Sequence, residues 1–378
     1  MLRANNNELR SARKQLDSSS WTYRRAYTAF LPQLSANLSV GSTTVATLAA
    51  TSNDSYGLSG SLDLFNAADI FSLRSAYADY QLNQAEYDLS EAAVLDEVRQ
   101  AFISLLLAQA SVDLQQKIVT QRRQNSDLIQ LRYDSGNEDK GNLLSTRADE
   151  TTARYNLSSA QRNQRLAALN LSQLLGQPVA SAEEVVALAE PALPDYEALL
   201  NGAPAYMAAK YQLEAAEIQQ QSTLNEFLPN VSLNGSYRKG GSSWPPDTDS
   251  NSLSVSVSFA FFPGGANFVD QVINNVKLDK AKEDFAKAVK DTRYSIVNAY
   301  ENLSDALEAL AAGKTQLAAA TERSNIAQEK YINGLMTYDD WYLIENNYIS
   351  AQIAVLNAQR NVLTADADWQ KSYGGYVK

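Results

Sequence analysis

The sequence of 378 residues predicts a mainly α-helical protein with a small β part, in which one helix–hairpin–long helix–helix unit occurs twice. Three observations lead to this fold class. Two long stretches of the chain contain almost no helix-breaking residue, and four short segments alternate apolar with polar residues. In addition, the second half of the chain repeats the first at a nearly constant offset.

Glycine and proline are missing from the stretches that we predict to be helices. Neither occurs from Ala67 to Ser135, and Gly313 is the single exception between Ala266 and Asn333. Proline costs about 3 kcal/mol in a helix interior, so stretches without it that are rich in Ala, Leu, Gln and Glu favour helix. A helix of about 68 residues spans roughly 100 Å, which is wider than one globular core. We therefore predict six helices, of which the two longest lie along other helices.

The first long helix carries apolar residues at coiled-coil spacing. Such a 3,4 pattern forms a seam along which two helices pack. A solvated coiled coil with no further role would show the same pattern, so the seam by itself does not define a function. Its members are Tyr77, Tyr80, Gln84, Tyr87, Glu91, Val94, Val98, Ala101, Leu105, Ala108 and Val112.

Period-two alternation predicts four strands, at 33–40, 58–64, 230–237 and 252–261, each with one apolar and one polar face. The polar positions are almost all Ser, Asn or Gln, which suits a water-filled lumen as well as an outer surface. Four strands cannot close a barrel, so a membrane barrel would need several chains. The alternative is a sheet whose apolar face covers a soluble core. Aromatic residues at the helix–strand junctions fit a girdle at a membrane interface, and hydrophobic staples are the alternative: Phe30, Phe65, Phe227 and Phe262.

An internal repeat fixes the order of the elements. Phe30-Leu31-Pro32 recurs 197 residues later as Phe227-Leu228-Pro229, and Ala160-Gln161-Arg162-Asn163 recurs unchanged 198 residues later. Such self-similarity is the signature of a repeated structural unit. The predicted first repeat, 1–203, contains a helix, hairpin 31–65, long helix 67–135, helix 140–176 and linker 177–203. The second repeat, 204–378, contains a helix, hairpin 228–262, long helix 266–333 and helix 337–374.

Composition excludes several classes of function. The chain has no histidine and no cysteine, which removes His- and Cys-based catalysis and His-ligated zinc. A formal net charge of −11 opposes a nucleic-acid partner. No glycine-rich phosphate-binding motif occurs, and no window of about 18 apolar residues predicts a transmembrane helix. We therefore expect no enzyme, catalytic residue, metal site, cofactor or nucleic-acid partner.

The sequence resembles the TolC family of outer membrane efflux proteins in three motifs. These are the duplicated Phe-Leu-Pro, the two [Arg/Lys]-Tyr-x-x-Gly turns at 132–136 and 330–334, and Leu-Leu-Gly at 174–176. The resemblance covers residues 1–376. It implies a homotrimer with an α-helical tunnel that extends into the periplasm. Above the tunnel, four strands per chain would form a shared 12-stranded transmembrane β-barrel in the Gram-negative outer membrane. The linker 177–203, with its prolines, would belong to an equatorial belt.

By the same resemblance, the protein is the exit duct of a tripartite efflux pump or type I secretion system. It would work by passive transport through a channel, in contact with outer membrane lipid. Its partners would be a periplasmic membrane-fusion adaptor and an inner-membrane pump of the RND or ABC type. The alternative is a soluble, long coiled-coil protein that tethers partners. The first residues lack a signal peptide's apolar segment, so we expect a mature or trimmed chain. Because the sequence has no cysteine, it does not resemble the N-terminally lipidated branch of the family.

The candidate site residues cluster at the two turns. The resemblance implies a gate or pore constriction at Asp340, Asp339, Tyr331 and Tyr133, and adaptor-contacting tips at Gly136, Asn137, Gly334 and Leu335. A second aspartate of the family pattern falls on Leu343 here. From the residues alone, Thr337-x-x-Asp340 equally predicts a helix N-cap, the glycines a left-handed turn, and the tyrosines ordinary packing. These alternatives remain open at this point.

Overall fold

The structure is a computed structural model and describes residues 6–43, 51–183 and 193–375. In these ranges the chain forms seven α-helices: α1 Asn7–Ala26, α2 Ala67–Asp134, α3 Lys140–Leu175, α4 Tyr196–Gly202, α5 Pro204–Ser222, α6 Ala266–Ile332 and α7 Tyr338–Ser372. Six strands accompany them: β1 Gln33–Ser39, β2 Ser42–Thr43, β3 Thr51–Ser52, β4 Asp54–Phe65, β5 Asn230–Gly241 and β6 Thr248–Ser258. Two 3-10 turns, Tyr27–Phe30 and Thr223–Phe227, precede β1 and β5.

The long helices begin and end within a few residues of the predicted positions, since no glycine or proline interrupts their interiors except Gly313. The prediction missed helix α4, which lies in the segment predicted to be linker. Asp195 starts this helix, because its carboxylate accepts hydrogen bonds from the Glu197 and Ala198 amides at 3.1 and 3.2 Å. Residues 184–192 of the linker, with Pro191, lie outside the described residues.

The chain forms two compact units, and each draws on both predicted repeats. The first unit contains Met1–Ser11, Asp88–Pro204 and Lys290–Lys378, and the second contains Ala12–Tyr87 and Ala205–Val289. The repeats therefore give the order of helices and strands along the sequence, and they do not correspond to the two compact units. The division of the chain at residue 203 stays a prediction.

In the first unit, α2 buries more than the predicted seam. Leu105 of that seam packs with Leu171 of α3, whereas Ile103 and Leu107, outside it, pack with Leu363 of α7. A helix with neighbours on two sides needs two apolar faces, so a single 3,4 stripe underestimates its core. In the second unit the seam member Tyr77 is exposed.

In the second unit, four strands form one antiparallel sheet in the order β1-β4-β5-β6. β4 pairs with β5, which joins the two predicted hairpins. Gly57 permits this pairing, because a Cβ there would lie 2.5 Å from the Tyr237 carbonyl oxygen. The short pair β2–β3 extends the first hairpin, whose residues 44–50 lie outside the described ranges.

The two faces of the sheet differ as the alternation predicts. Serines form a row across all four strands, with hydroxyl oxygens 2.7 Å apart for Ser35 and Ser59 and 2.9 Å apart for Ser236 and Ser252. The opposite face is apolar and largely exposed, with Leu62 and Leu233 partly buried. The alternation overestimated one strand: β6 ends at Ser258, so Phe259 and Phe261 lie beyond the ladder.

The two long helices end in the same way. At the end of α2, Gly136 (φ 73°) donates its N–H to the Tyr133 carbonyl at 2.9 Å, and Asn137 donates to Arg132 at 2.8 Å. At the end of α6, Gly334 (φ 72°) donates to Tyr331 at 3.1 Å and Leu335 to Lys330 at 2.8 Å. This pair of bonds is the Schellman motif, which satisfies the last carbonyls of a helix.

None of the helices in the described part of the chain has a stretch that is both long and apolar enough to cross a membrane.

The left-handed backbone at Gly334 gives a stability prediction. Gly334→Ala should lower the free energy of unfolding by about 1 kcal/mol, because its φ disfavours any Cβ although nothing lies within 4 Å of one. Gly313→Ala is the matched control, since Gly313 lies inside α6 and its Cβ would make an ordinary 3.7 Å contact with Val355. The control should gain about 0.5–1 kcal/mol. Denaturant unfolding measures both, and equal effects of the two substitutions would contradict this account.

Candidate functional site at the helix turns

Two chain reversals of the first unit, between α2 and α3 and between α6 and α7, lie in direct contact. Arg132, at the end of α2, donates from Nη1 to the Tyr331 carbonyl oxygen at 3.0 Å and to the Ile332 carbonyl oxygen at 3.4 Å. In return, the Tyr331 hydroxyl donates to a carboxylate oxygen of Glu138 in the first turn. These bonds join residues about 200 positions apart in the sequence.

Tyr331 occupies the centre of this contact. Its side chain is 1% exposed and stacks on Trp341, with ring centroids 4.7 Å apart and planes 7° from parallel. The Arg132 guanidinium carbon lies 4.6 Å from the centroid of the same ring. Aromatic stacking and a cation over an aromatic face both stabilise such an arrangement. Ile129 and Leu143 belong to the same buried cluster.

The buried phenols of the turn keep their protons at neutral pH. Burial, and next the hydrogen bond to Glu138, raises the pKa of Tyr331 above its ordinary value near 10. Burial likewise raises the pKa of Tyr338 to about 12. Tyr331 therefore remains a hydrogen-bond donor to Glu138 throughout the physiological range.

The repeat counterpart of Tyr331 has a different environment. Tyr133 is 38% exposed, although both tyrosines precede a turn glycine by three residues. The partners of Tyr331 explain the difference. At the repeat offset of 198 residues, the counterpart of Trp341 is Leu143, and the counterpart of Glu138 is Met336. Tyr133 thus has neither an indole nor a carboxylate at the matching positions.

The two aspartates predicted for the constriction lie at the start of α7, and both are exposed. Thr337 caps the helix: its hydroxyl oxygen accepts the Asp340 N–H at 3.2 Å, and the hydroxyl donates to Asp340 Oδ2 at 2.7 Å. The capping alternative is therefore observed. The cap does not involve Asp339, and Asp340 stays exposed although it takes part in the cap. In the first turn Asp139 is the cap, and Asn142 stands where the second turn has Asp340.

The four predicted tip residues, Gly136, Asn137, Gly334 and Leu335, are all exposed. Leu335 is 76% exposed, and a Cβ built on either glycine would meet no heavy atom within 4 Å. The turns are thus open surface in the single chain.

The four junction phenylalanines lie in the second unit at the ends of the sheet strands. Phe30 and Phe227 each close a 3-10 turn, and the following Leu31 and Leu228 amides donate to Thr28 and Asn225 at 3.2 and 3.1 Å. Phe30, Phe65 and Phe262 are exposed, whereas Phe227 is half-buried and packs edge-on against Phe268 at 5.6 Å.

Sequence reasoning missed a polar layer behind the turns. Glu345 of α7 is 3% exposed and accepts hydrogen bonds from Gln121 at 2.6 Å, Asn125 at 3.4 Å and the Ser324 hydroxyl. The layer therefore connects α2, α6 and α7. The sequence did contain a signal that Glu345 is buried, because Tyr338, Trp341 and Glu345 follow the 3,4 spacing of a buried seam. Arg132, Glu138 and Trp341 were also missed, since no local pattern marks their long-range partners.

The described residues contain no group of three or more acidic side chains that could hold a metal ion.

A family model described as outer membrane efflux protein matches residues 1–177 and 196–375. The chain belongs to the outer membrane efflux protein family. The match runs through both predicted repeats and leaves out residues 178–195, most of the linker, and the last three residues.

Individual relatives are more distant. Outer membrane efflux protein BepC of Brucella suis biovar 1 (strain 1330) is 23% identical over 244 residues, which cover 62% of this chain and 53% of BepC. Solvent efflux pump outer membrane protein SrpC of Pseudomonas putida is 28% identical over 189 residues, 47% of this chain and 38% of SrpC. The matches thus span about half the length of these curated relatives, or less.

The fold is that of known channel structures. A crystal structure of CusC superposes with a TM-score of 0.90 at 17% identity, covering 98% of this chain and 90% of CusC. At this identity the likeness establishes the fold alone.

Proposed function

We propose that the protein is the outer membrane channel of a tripartite efflux pump or type I secretion system. Its role would be that of an exit duct in the Gram-negative outer membrane, with a tunnel extending into the periplasm. The observation that carries this proposal is the family match through both halves of the chain. We infer passive passage of cargo and no enzymatic reaction, because efflux channels of this family supply a path rather than chemistry.

The sheet supports assembly of several copies into one barrel. Strands β1 and β6 are its edges in the described part of the chain, and each pairs on one side. Leu34 on the edge strand β1 is 84% exposed. A monomeric protein in water rarely leaves such an apolar face and two open edges uncovered. Three copies would supply twelve strands around a serine-lined interior. Further exposed apolar residues of this face are Leu38, Leu58, Leu253, Val255 and Val257.

A second apolar surface supports contact between copies beside the sheet. At the start of α6, Phe268, Val269, Val272, Ile273 and Val276 follow helical spacing, and all of them are exposed. A neighbouring copy would cover this stripe in a homotrimer, with membrane lipid against the apolar face of the strands.

The contact between the turns supports a gate. The hydroxyl of Tyr331 ties α6 to Glu138, and the guanidinium of Arg132 ties α2 to the end of α6. Opening a pore at these turns would require the bonds to break or move. Asp340 and Asp339 would face the axis of the trimer, where rings of carboxylates favour cations. Tyr133 would line the same region from the first turn.

The exposed tips support a docking role. Asn137 and Leu335 follow the two turn glycines and lie at the surface. We propose that they, with Gly136 and Gly334, contact the helical hairpin of a periplasmic membrane-fusion adaptor. The adaptor would in turn connect the channel to an inner-membrane pump of the RND or ABC type.

The hydrogen bond of Tyr331 gives a test of the gate. Tyr331→Phe should raise the open fraction of single channels in a planar bilayer about tenfold for each chain whose turns separate on opening, because each chain loses a partly buried hydrogen bond worth about 1–2 kcal/mol. Tyr294→Phe is the matched control, since it removes a hydroxyl from an exposed tyrosine of α6 that lies away from the turns. An unchanged open fraction in Tyr331→Phe, or the same rise in both variants, would count against the gate.

The charge of Asp340 gives a second test. Asp340→Asn should lower the cation-over-anion permeability ratio several-fold, because it removes one carboxylate per chain from the constriction. Reversal potentials in a salt gradient measure the ratio. Asp113→Asn, an exposed position on α2, makes the same charge change away from the turns. Equal ratios for the wild type and Asp340→Asn would rule out the ring.

A further inference from the structure

Helix α1 is basic although the chain is acidic. It carries five basic residues, Arg10, Arg13, Lys14, Arg24 and Arg25, against Glu8 and Asp17, whereas the whole chain has a formal charge of −11. Its counterpart in the second repeat, α5, has one lysine and two glutamates. At the offset of 197 residues, Arg24 and Arg25 correspond to Gln221 and Ser222. The basic helix is thus particular to the first repeat.

One of the two arginines of the last turn, Arg24, lies beside an exposed tryptophan. The Arg24 guanidinium carbon is 4.7 Å from the ring centroid of Trp21, which is 64% exposed. Both residues line a cleft of about 400 Å³, to which α2 contributes Tyr80 and Gln84. Tyr27, one turn further, is also exposed. This surface combines cationic heads with large amphipathic rings.

Among the described residues, no carboxylate neutralises the charge of this turn. Asp17 pairs with Arg13 at 3.5 Å and with Lys14 at 3.2 Å, both on the preceding turn. Within the described ranges, no carboxylate lies within 4.0 Å of Arg24 or Arg25. A positive charge at a helix C-terminus is favourable by itself. However, α5 ends without any basic residue in its last turn. The end of such a helix therefore does not require Arg24 and Arg25.

The position of the turn relative to the strands points to its partner. Arg25 precedes the junction residue Phe30 by five positions and the first strand residue Gln33 by eight. The intervening 3-10 turn rises about 2 Å per residue and the extended residues after it about 3.5 Å each, so Arg25 lies within about 20 Å of the strand. The polar layer of a bilayer extends several ångströms beyond its hydrocarbon core. If the strands cross a membrane, the long arginine side chains can therefore reach that layer.

We propose that Trp21, Arg24 and Arg25 form a binding surface for the headgroups of anionic phospholipids. Guanidinium groups bind phosphate oxygens in a bidentate manner, and tryptophan favours the membrane–water interface. The surface would hold the periplasmic leaflet next to the strands on one side of each chain. This inference rests on the proposed function, because it requires the strands to lie in a membrane.

Native mass spectrometry of the full chain in detergent tests the surface. The probe is an equimolar mixture of phosphatidylglycerol and phosphatidylcholine with identical acyl chains. The wild type should retain phosphatidylglycerol preferentially, and Arg24→Gln with Arg25→Ser should lower the retained ratio about tenfold, because juxtamembrane arginines contribute strongly to binding of anionic lipid. The matched control is Arg162→Gln with Arg165→Gln, which removes two exposed arginines from α3.

The outcomes separate this inference from the proposed function. An equal lipid ratio in the wild type and the α1 variant, or an equal loss in the control, would overturn the lipid surface while channel conductance still supports the exit duct. Displacement of the lipid by millimolar inorganic phosphate would also overturn it, since the surface would then be a site for free anions. Absence of conductance in every variant would instead contradict the proposed function.

Discussion

A helix of more than sixty residues must satisfy its last carbonyl groups when the chain reverses, and in this protein one left-handed glycine does so at each long helix. Gly136 and Gly334 make matching pairs of backbone hydrogen bonds, and both leave the next residue at the surface. The turn geometry fixes where α3 and α7 begin. It thereby places Glu138 within reach of Tyr331 and brings Trp341 against the Tyr331 ring. The candidate gate depends on these two reversals.

The duplicated backbone carries different side chains in its two copies, and the proposed functions lie in those differences. Tyr331 is buried against the Trp341 indole, whereas Tyr133 is exposed. The second turn has Asp340 where the first has Asn142, and α1 ends in two arginines where α5 ends in neutral residues. Duplication supplies a scaffold with two similar turns and two hairpins. Divergence then makes the contact between the turns asymmetric, with Tyr331 at its centre, and confines the basic surface to the first copy.

Local patterns predicted much of the fold. The absence of glycine and proline marked α2 and α6, period two marked the strands, and the turn glycines were correctly placed. Helix α4 was missed because a seven-residue helix after a proline-rich stretch has little local signal. The bonds from Arg132 and Tyr331 were missed because their partners are about 200 residues away. The roles of Asp340, Tyr331 and the tips as gate and docking residues stay predictions.

The most direct test of the account is the mass of the particle in detergent and in plain buffer, measured by light scattering on a sizing column. The account predicts a trimer, three times the chain mass of 41.4 kDa, that requires detergent to remain dispersed. The physical reason is the exposed apolar face of the sheet with its two open edges, which only neighbouring copies and lipid can cover. A monomer that stays dispersed without detergent would contradict the shared barrel and the channel together.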